Sequence, residues 1–436
     1  MVLPILLTRS KRSLTLLGAV ALGMLSAQQV SAQTGLAIRT GQPDGLTFGI
    51  DGRLTLEAAA YAPLHKEDFN YKPLGLSTPE PFRMSAGTDI TQARLGFVSD
   101  YKNWKGRIDV NFAGQRVTFT DAFICYDFSE KTNLSLGYRL DPFSIGISTA
   151  TRHTSLNSPI ALDFLGRPER HWGITATHSE LHYWLSGGIY AGGIPRQSPQ
   201  PNHQGEGYGI SLRAVYRPIN TEERTLHLGA SLTTRAPEQV HTETGLVAVG
   251  AHPGSTIDGR RFVSGVINGV YRYDLLGGEV AYRDDRFFTQ GEFLVANYNV
   301  DSKKALGGGS SFPSYKGTET FLGGYLTGSV MLRGKQRVYQ SGSAAFKNVN
   351  SEIASGGNLE LMARLGYLNA QDAGSALEAL TAVNWYPNQL MMLGLSYTYT
   401  GMDSKANAGG ALIAVGPHAL DGLKLNTLQL RAQFVF

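Results

Sequence analysis

The sequence predicts an all-β protein, a transmembrane antiparallel β-barrel of about 16 strands, within a range of about 16 to 18. Segments in which apolar and polar residues alternate recur along most of the chain. Near the amino terminus, Arg9, Lys11 and Arg12 precede an apolar run from Leu14 to Leu25, which is typical of a secretory leader. The final alternating segment, which ends on Phe436, has one apolar face for lipid and one polar face for a lumen.

The leader sets the predicted domain boundaries. The sequence Val-Ser-Ala that ends at Ala32 is a small-residue cleavage site, so residues 1–32 are predicted to be a signal peptide. Residues 33–45 are then a short periplasmic N-terminal segment, and residues 46–436 form the outer-membrane β-barrel. No later apolar run reaches the length of about 18 residues that a membrane-spanning helix needs. The single cysteine, Cys125, excludes an intramolecular disulfide.

The composition favours a barrel and argues against a strongly basic protein. The chain has 52 Gly, 20 Tyr and 19 Phe, which supply turn residues and the aromatic girdles of a membrane barrel. The formal charge is +4, and loss of the leader's three basic residues leaves the mature chain close to neutral. A nearly neutral protein gives no support for nucleic acid as a partner.

The first predicted strand, Leu46 to Ala60, sets the pattern, with Leu54 and Leu56 on one face and Arg53 and Glu57 on the other. Further segments of the same period follow: Thr91 to Ser99, Trp104 to Phe112, Ala122 to Phe128, Leu134 to Asp141, Ile174 to Thr177, Leu181 to Tyr190, Tyr208 to Arg217, Leu226 to Arg235, Val270 to Asp274, Glu279 to Tyr282, Phe288 to Tyr298, Glu319 to Leu332, Val338 to Lys347, Leu359 to Leu365, Leu377 to Trp385, Leu390 to Tyr399 and Leu425 to Phe436. Alternation alone does not say which face is wet, but the leader favours a polar lumen.

The connections are of two kinds. Asp100 to Asn103 and Ser129 to Asn133 are short and read as periplasmic turns. The long connections are rich in Gly, Pro, Ser and His and read as surface loops, one of them folded into the pore: Pro63 to Gly87, Phe143 to Arg167, Gly192 to Gly205, Ala236 to Arg260, Val300 to Lys316 and Asp403 to Asp421.

Short stretches in a fixed order give the chain a family resemblance. They are Gln92-Ala-Arg-Leu-Gly-Phe97, Trp104-Lys-Gly-Arg-Ile-Asp109, Thr120-Asp-Ala-Phe123, Leu136-Gly-Tyr-Arg-Leu-Asp-Pro-Phe143, Arg170-His-Trp-Gly173, Phe288-Thr-Gln-Gly-Glu292, Gly323-Gly-Tyr-Leu326, Leu359-Glu-Leu-Met-Ala-Arg364 and Asn384-Trp-Tyr386. From about Gly45 to Phe436 the chain resembles the phosphate-selective porin O and P family. The resemblance implies a homotrimeric 16-stranded outer-membrane porin whose long third loop narrows the lumen with basic residues.

One departure from the family pattern bears on selectivity. The family often carries Arg-Arg-Ala-Arg at the second strand, whereas this chain has Thr91-Gln92-Ala93-Arg94 and keeps only the last arginine. Together with the nearly neutral charge, this favours a general pore for anions or small solutes over a strictly phosphate-selective one.

Selectivity in a wide barrel comes from charges at its narrowest section. Parity and loop position give nine candidate pore-lining cations: Arg53, Arg94, Lys105, Arg107, Arg139, Arg152, Arg167, Arg170 and Arg213. Asp51, Glu57, Asp109 and Asp141 are predicted to face the same lumen. Two interpretations stay open: a solvated lattice of charges and ion pairs, or loop arginines that contact a permeating anion.

The predicted function is passive diffusion of small hydrophilic solutes, chiefly anions, across the outer membrane of a Gram-negative-type cell, with no cofactor and no catalysis. A metal site is not favoured, because His153, His171, His178 and His182 lack metal-binding spacing in a strand context. A hydrolase is not favoured either, because no Gly-x-Ser-x-Gly motif occurs. The alternative is a plugged or narrow barrel that acts as a surface receptor, adhesin or assembly partner.

Overall fold

Sixteen strands form one closed antiparallel barrel in the computed structural model. The structure describes residues 36–39, 45–63, 70–71, 80–81, 84–114, 117–150, 153–165, 170–192, 203–205, 207–237, 239–240, 243–244, 247–259, 261–304, 316–347, 352–403, 413–414 and 422–436. The predicted signal peptide lies outside these residues. Among them, no helix has both the length and the apolar character needed to cross a bilayer.

Each barrel strand pairs with its neighbours in sequence, and the last strand pairs with the first. The strands are β1 (Thr47–Pro63), β2 (Gly87–Tyr101), β3 (Trp104–Asn111), β4 (Thr118–Asp127), β5 (Thr132–Leu140), β6 (Arg170–Ser179), β7 (Tyr183–Tyr190), β8 (Tyr208–Asn220), β9 (Thr225–Ala236), β10 (Val270–Arg283), β11 (Phe287–Asp301), β12 (Lys316–Arg333), β13 (Asn358–Asn369), β14 (Ser375–Asn388), β15 (Met391–Met402) and β16 (Lys424–Val435). A short strand, Leu36–Arg39, also pairs with the start of β1.

Because apolar and polar residues alternate along the strands, the barrel has an apolar outer face and a polar inner face. On β1 the outward Leu54 and Leu56 are exposed, whereas the inward Arg53, Thr55 and Glu57 are buried inside the barrel. A soluble sandwich would bury the apolar face instead. The exposed belt of large apolar side chains is therefore the surface that lipid covers.

Two sequence predictions of separate barrel strands were wrong. Val270 to Asp274 and Glu279 to Tyr282 belong to one strand, β10, because Gly277 and Gly278 interrupt the side-chain pattern without interrupting the backbone pairing. The segment 338–347 is not a barrel strand.

Instead, segment 338–347 forms a small hairpin, which we call the inner hairpin, in which Tyr339–Gln340 pairs with Ala345–Phe346. Its buried side chains pack against the inner wall rather than facing lipid. These two corrections reduce the 18 predicted strands to the sixteen barrel strands of the structure.

The connections differ in length at the two ends of the barrel. One end has short turns, apart from residues 334–357, which carry the inner hairpin. The other end has the long connections, which porins place on the cell exterior. Two of these bear on the lumen: residues 141–169, with helices α1 (Ile145–Ser148) and α2 (Ile160–Leu165), and residues 237–269.

Candidate pore and its lining

The 141–169 connection crosses the lumen. The backbone N–H of Gly146 donates to Glu292 Oε1 on β11 over 2.9 Å. The Asn157 carbonyl accepts from Arg364 Nη1 on β13 over 2.7 Å, and Asn157 Nδ2 donates to Gln429 Oε1 on β16 over 2.9 Å. One connection thus contacts inward side chains of strands that are far apart around the barrel.

Helix α2 anchors this connection by burying its apolar residues. Proline at position 159 precedes the helix, and a fixed φ suits a helix start. Ile160, Phe164 and Leu165 are fully buried, and the Phe164 ring lies 5.7 Å from the Phe321 ring on β12. The anchor therefore holds the connection against the inner wall.

A second connection, 237–269, is tied to the first inside the barrel. Asp163 Oδ2 on α2 accepts from the backbone N–H of His252 over 2.7 Å and contacts His252 Nδ1 over 2.8 Å. The Pro253 carbonyl accepts from Thr427 Oγ1 on β16 over 2.9 Å. The sequence predicts one lumen loop, whereas in the structure residues from two long connections bond to each other and to the inner wall.

The inner hairpin enters the lumen from the opposite end. Arg213 Nη2 on β8 donates to the Ala344 carbonyl over 2.8 Å, and Trp184 Nε1 on β7 donates to the Gly342 carbonyl over 3.0 Å. The hairpin therefore covers the inner faces of β7 and β8.

A buried polar network joins this hairpin to the wall. Glu279 Oε1 accepts from Arg213 Nε over 2.9 Å and lies 2.9 Å from His227 Nε2. The other ring nitrogen, His227 Nδ1, lies 2.8 Å from the Tyr339 hydroxyl. Burial raises the pKa of Tyr339 to about 12. When the neutral His227 ring donates its Nε2–H to the Glu279 carboxylate, its Nδ1 accepts from the Tyr339 hydroxyl.

The predicted arginines on β1 and β2 meet in the wall. Arg53 and Arg94 are direct partners in the register of these antiparallel strands, so both point into the lumen. Arg94 interacts electrostatically with Arg107 and Arg170. We call Arg53, Arg94, Arg107 and Arg170 the arginine cluster.

Carboxylates accompany part of the arginine cluster. Arg107 donates to Asp51 over 3.0 and 3.1 Å and to Asp109 over 2.9 Å. Arg170 Nε lies 3.3 Å from Asp121 Oδ1. The wall is thus a lattice in which arginines of the cluster alternate with carboxylates.

The other predicted cations lie elsewhere. Lys105 Nζ pairs with Asp127 Oδ2 over 2.6 Å and is half exposed. The Arg139 guanidinium lies 5.0 Å from the centre of the Phe123 ring, and Arg213 belongs to the network with Glu279. Arg152 and Arg167 lie outside the described residues, and their roles stay predictions.

Among the inward arginines that were not predicted site residues, three form ion pairs with buried glutamates. The alternation of polar and apolar residues could have identified Arg364 on β13 and Arg431 on β16. Arg337, next to the inner hairpin, could not be identified from any alternating pattern. Each is paired with a buried glutamate: Arg337 with Glu360, Arg364 with Glu378 and Arg431 with Glu57.

The fold and the family can be compared with known proteins. The chain's fold is similar to that of an anion-selective porin from Comamonas acidovorans, at 11% identity and a TM-score of 0.54, over 90% of this chain and 100% of that one. It is also similar to a loop L8 deletion mutant of OmpT, an outer membrane protein of Vibrio cholerae, at 9% identity and a TM-score of 0.52, over 90% and 99% of the two chains. The trimer form of in-vitro folded OmpT from Vibrio cholerae gives 11% identity and a TM-score of 0.51, over 90% and 99%.

At this level of identity the structural likeness establishes the fold only. No curated protein sequence matches the chain. The family model described as phosphate-selective porin O and P matches residues 68–436, which is most of the chain. The protein therefore belongs to the phosphate-selective porin O and P family and is a porin of the outer membrane.

Proposed function

We propose that this porin lets small hydrophilic solutes diffuse passively and prefers anions, with the arginine cluster as the charged part of its path. The observation that carries the proposal is the grouping of Arg53, Arg94, Arg107 and Arg170 on the lumen face, where Arg94 interacts electrostatically with both Arg107 and Arg170. Like charges that lie close together repel, and an anion beside these guanidinium groups relieves that repulsion through charge-assisted hydrogen bonds. The likeness of the fold to that of the anion-selective porin from Comamonas acidovorans supports the same preference.

The test is the reversal potential of the refolded protein in a planar bilayer under a salt gradient. Replacing Arg53→Ala and Arg94→Ala together should lower the anion-to-cation permeability ratio by roughly fivefold or more, since each removed charge at about 4 Å in a water-like medium contributes about 1 kcal/mol. Lys131→Ala is the control, because Lys131 pairs with Glu180 at an exposed turn and is not part of the arginine cluster. An unchanged ratio in the double variant would remove these arginines from the path.

Phosphate selectivity is a separate part of the proposal. Addition of inorganic phosphate to the same bilayer distinguishes a dedicated phosphate site, which blocks the chloride current, from a general anion pore, which does not. We favour the general pore, because Thr91 and Gln92 replace two of the three arginines of the family's run in this chain. The same bilayer measurement applies to a triple variant in which Arg152, Arg167 and Arg170 are replaced by alanine.

We also propose that the mature barrel, without residues 1–32, assembles as a homotrimer surrounded by outer-membrane lipid, as the trimer form of OmpT suggests by analogy. The family and the fold are those of a channel rather than an enzyme. The narrow barrel that acts as a receptor or adhesin is the second candidate, and contacts of the two connections and the inner hairpin with the wall favour it. Absence of ion current in correctly folded protein would favour the receptor or adhesin function over the porin function.

A further inference from the structure

His227 on β9 joins the barrel wall to the inner hairpin. Its side chain is fully buried, and its ring lies between Glu279 on β10 and Tyr339 of the hairpin. His227 Nε2 lies 2.9 Å from Glu279 Oε1, and Nδ1 lies 2.8 Å from the Tyr339 hydroxyl. Histidine is the side chain whose charge ordinarily changes between about pH 5 and pH 8, so the state of this ring bears on how the hairpin is held.

The hydrogen bonds assign the ring as neutral. Glu279 accepts from Arg213 Nε and is a carboxylate, so His227 Nε2 carries the proton in the contact between them. Among the residues that the structure describes, the Tyr339 hydroxyl has two hydrogen-bond partners, and one of them, the Arg217 guanidinium, can only donate. The hydroxyl proton therefore points to His227 Nδ1, which accepts it as an unprotonated nitrogen.

The charges that face the ring oppose a second proton. Arg213 and Arg217 on β8 both interact electrostatically with His227, and both repel a positive ring. Glu279 on β10 is the carboxylate in contact with it, and it is already shared with Arg213. From the hairpin, Tyr339 is the titratable group that meets the ring. Protonation would thus place a positive charge beside two arginines and one shared carboxylate.

The other charged groups near the hairpin are engaged elsewhere. Glu292 on β11 lies directly opposite Glu279 in the strand register, and its Oε1 accepts from a backbone N–H of the 141–169 connection over 2.9 Å. Arg337, which leads into the hairpin, pairs with Glu360 on β13. The ring on β9 is therefore the group through which a change of pH acts on the hairpin.

A second proton on the ring would break its bond to the hairpin. Both ring nitrogens would then donate, so the Tyr339 hydroxyl would face an N–H and lose the acceptor of its own proton. A buried hydroxyl without an acceptor costs free energy, and displacement of the hairpin removes that cost because water then reaches the ring and the phenol. The displaced hairpin therefore favours the protonated ring, and by linkage acid favours the displaced hairpin.

We propose that His227 and Tyr339 form an acid-operated latch, which holds the inner hairpin in the lumen at neutral pH and releases it when His227 takes up a proton. The hairpin covers the inner faces of β7 and β8, so its release widens the lumen. The proposal rests on the proposed function, because it concerns the same diffusion path, and it adds a means of regulation to that function.

The experiment compares the single-channel conductance of the refolded mature protein at about pH 7.5 and about pH 4.5, on either side of the ordinary histidine range. The wild-type conductance should rise by roughly twofold on acidification, since the narrowest section limits conduction. His227→Gln cannot take up a proton in this range and should lose the rise. His178→Gln is the matched control and should keep it, because His178 is partly exposed and bonds to Thr132 Oγ1 over 2.7 Å.

Tyr339→Phe gives a second test, which does not depend on the folding of the His227→Gln variant. It keeps a ring for the contact with Phe346, whose centre lies 5.0 Å away, and removes the hydroxyl. No O–H then faces the protonated imidazole, so the rise in conductance on acidification should be smaller than in wild type.

Two results would overturn the proposal. One is a wild-type channel whose conductance is the same at both pH values. The other is an equal rise in wild type, His227→Gln and Tyr339→Phe, which would assign the pH response to other groups. If the folded protein carries no ion current at either pH, the proposed diffusion function fails, and hydrogen exchange of the hairpin backbone decides the latch separately. Faster exchange of residues 338–347 in wild type than in His227→Gln at the acid pH supports the latch, and equal exchange rejects it.

Discussion

Several charged side chains inside the barrel are buried in matched pairs. The side chains of Arg364 and Glu378 are 3% and 0% exposed, with Nε and Oε1 2.6 Å apart. Arg213 and Glu279 are 0% and 1% exposed. The attraction between such ions offsets the cost of removing them from water, but removal of one partner leaves the other charge uncompensated. Each pair therefore acts as a unit.

At this scale we expect Glu378→Leu to lower the free energy of unfolding by about 3 to 5 kcal/mol, the usual cost of breaking a buried pair. Arg364 also donates to the Asn157 carbonyl, so its displacement would loosen the 141–169 connection. Urea unfolding of the barrel in lipid vesicles measures the change. Asp127→Asn, which breaks the half-exposed pair with Lys105, is the control and should have a much smaller effect. Equal effects of the two substitutions would mean that burial does not set the cost.

At the scale of the element, the inner hairpin is held by rings as well as by hydrogen bonds. The Phe346 ring lies 5.0 Å from the rings of both Phe288 and Tyr339. The Arg337 guanidinium lies 4.2 Å from the centre of the Phe288 ring. Aromatic packing and a stacked cation fix the hairpin against β11, so it narrows the lumen at the end where porin turns are short.

Removal of the inner hairpin should therefore widen the pore. The backbone N–H of Lys347 donates to the Val338 carbonyl over 2.9 Å, so an Asn-Gly turn can replace residues 339–346 and still join these ends. We expect single-channel conductance to rise by roughly twofold or more, because the narrowest section limits conduction. Lys335→Ala, at an exposed position of the same connection, is the control. Unchanged conductance in the folded deletion variant would place the conduction path elsewhere in the lumen.

At the scale of the molecule, the barrel closes where its first and last strands meet. Gly52 N donates to the Phe436 carbonyl over 2.9 Å, and Phe436 N donates to the Gly52 carbonyl over 3.1 Å. A Cβ at position 52 would lie 2.2 Å from the Phe436 ring, so glycine leaves the space in which that ring packs. Closure pairs the whole edge and leaves no unpaired strand in the lipid.

The trimer proposed above predicts the mass of the folded assembly. Light scattering of detergent-solubilised protein, with the detergent contribution subtracted, should give three times the mass of the mature chain. The exposed apolar belt must be covered by lipid or by neighbouring subunits, which is the physical reason to expect association. A heated sample provides the single-chain reference. A folded species with the mass of one chain would contradict the proposal.

The sequence by itself determined the barrel class, the strand pattern and the side of the wall to which most polar residues point. Alternation is a local property with a period of two, so Arg53, Arg94 and Arg107 could be placed on the inner face without knowledge of their neighbours. The same local property could not separate an inner hairpin at residues 338–347 from a lipid-facing strand, since both expose apolar residues to something other than water.

Only the tertiary structure decided which carboxylate meets which arginine and which connections share the lumen. Asp163 and His252 are far apart in the chain, and so are Glu57 and Arg431; closure of the barrel and burial of helix α2 bring each pair together. Such partners depend on strand register and loop packing, which sum contributions from the whole chain. A polar cavity of about 220 Å³, which both pairs line, lies between β1, β2 and β16 and the 141–169 and 237–269 connections. It is a property of the closed barrel, because no single segment of the sequence contains more than one of its walls.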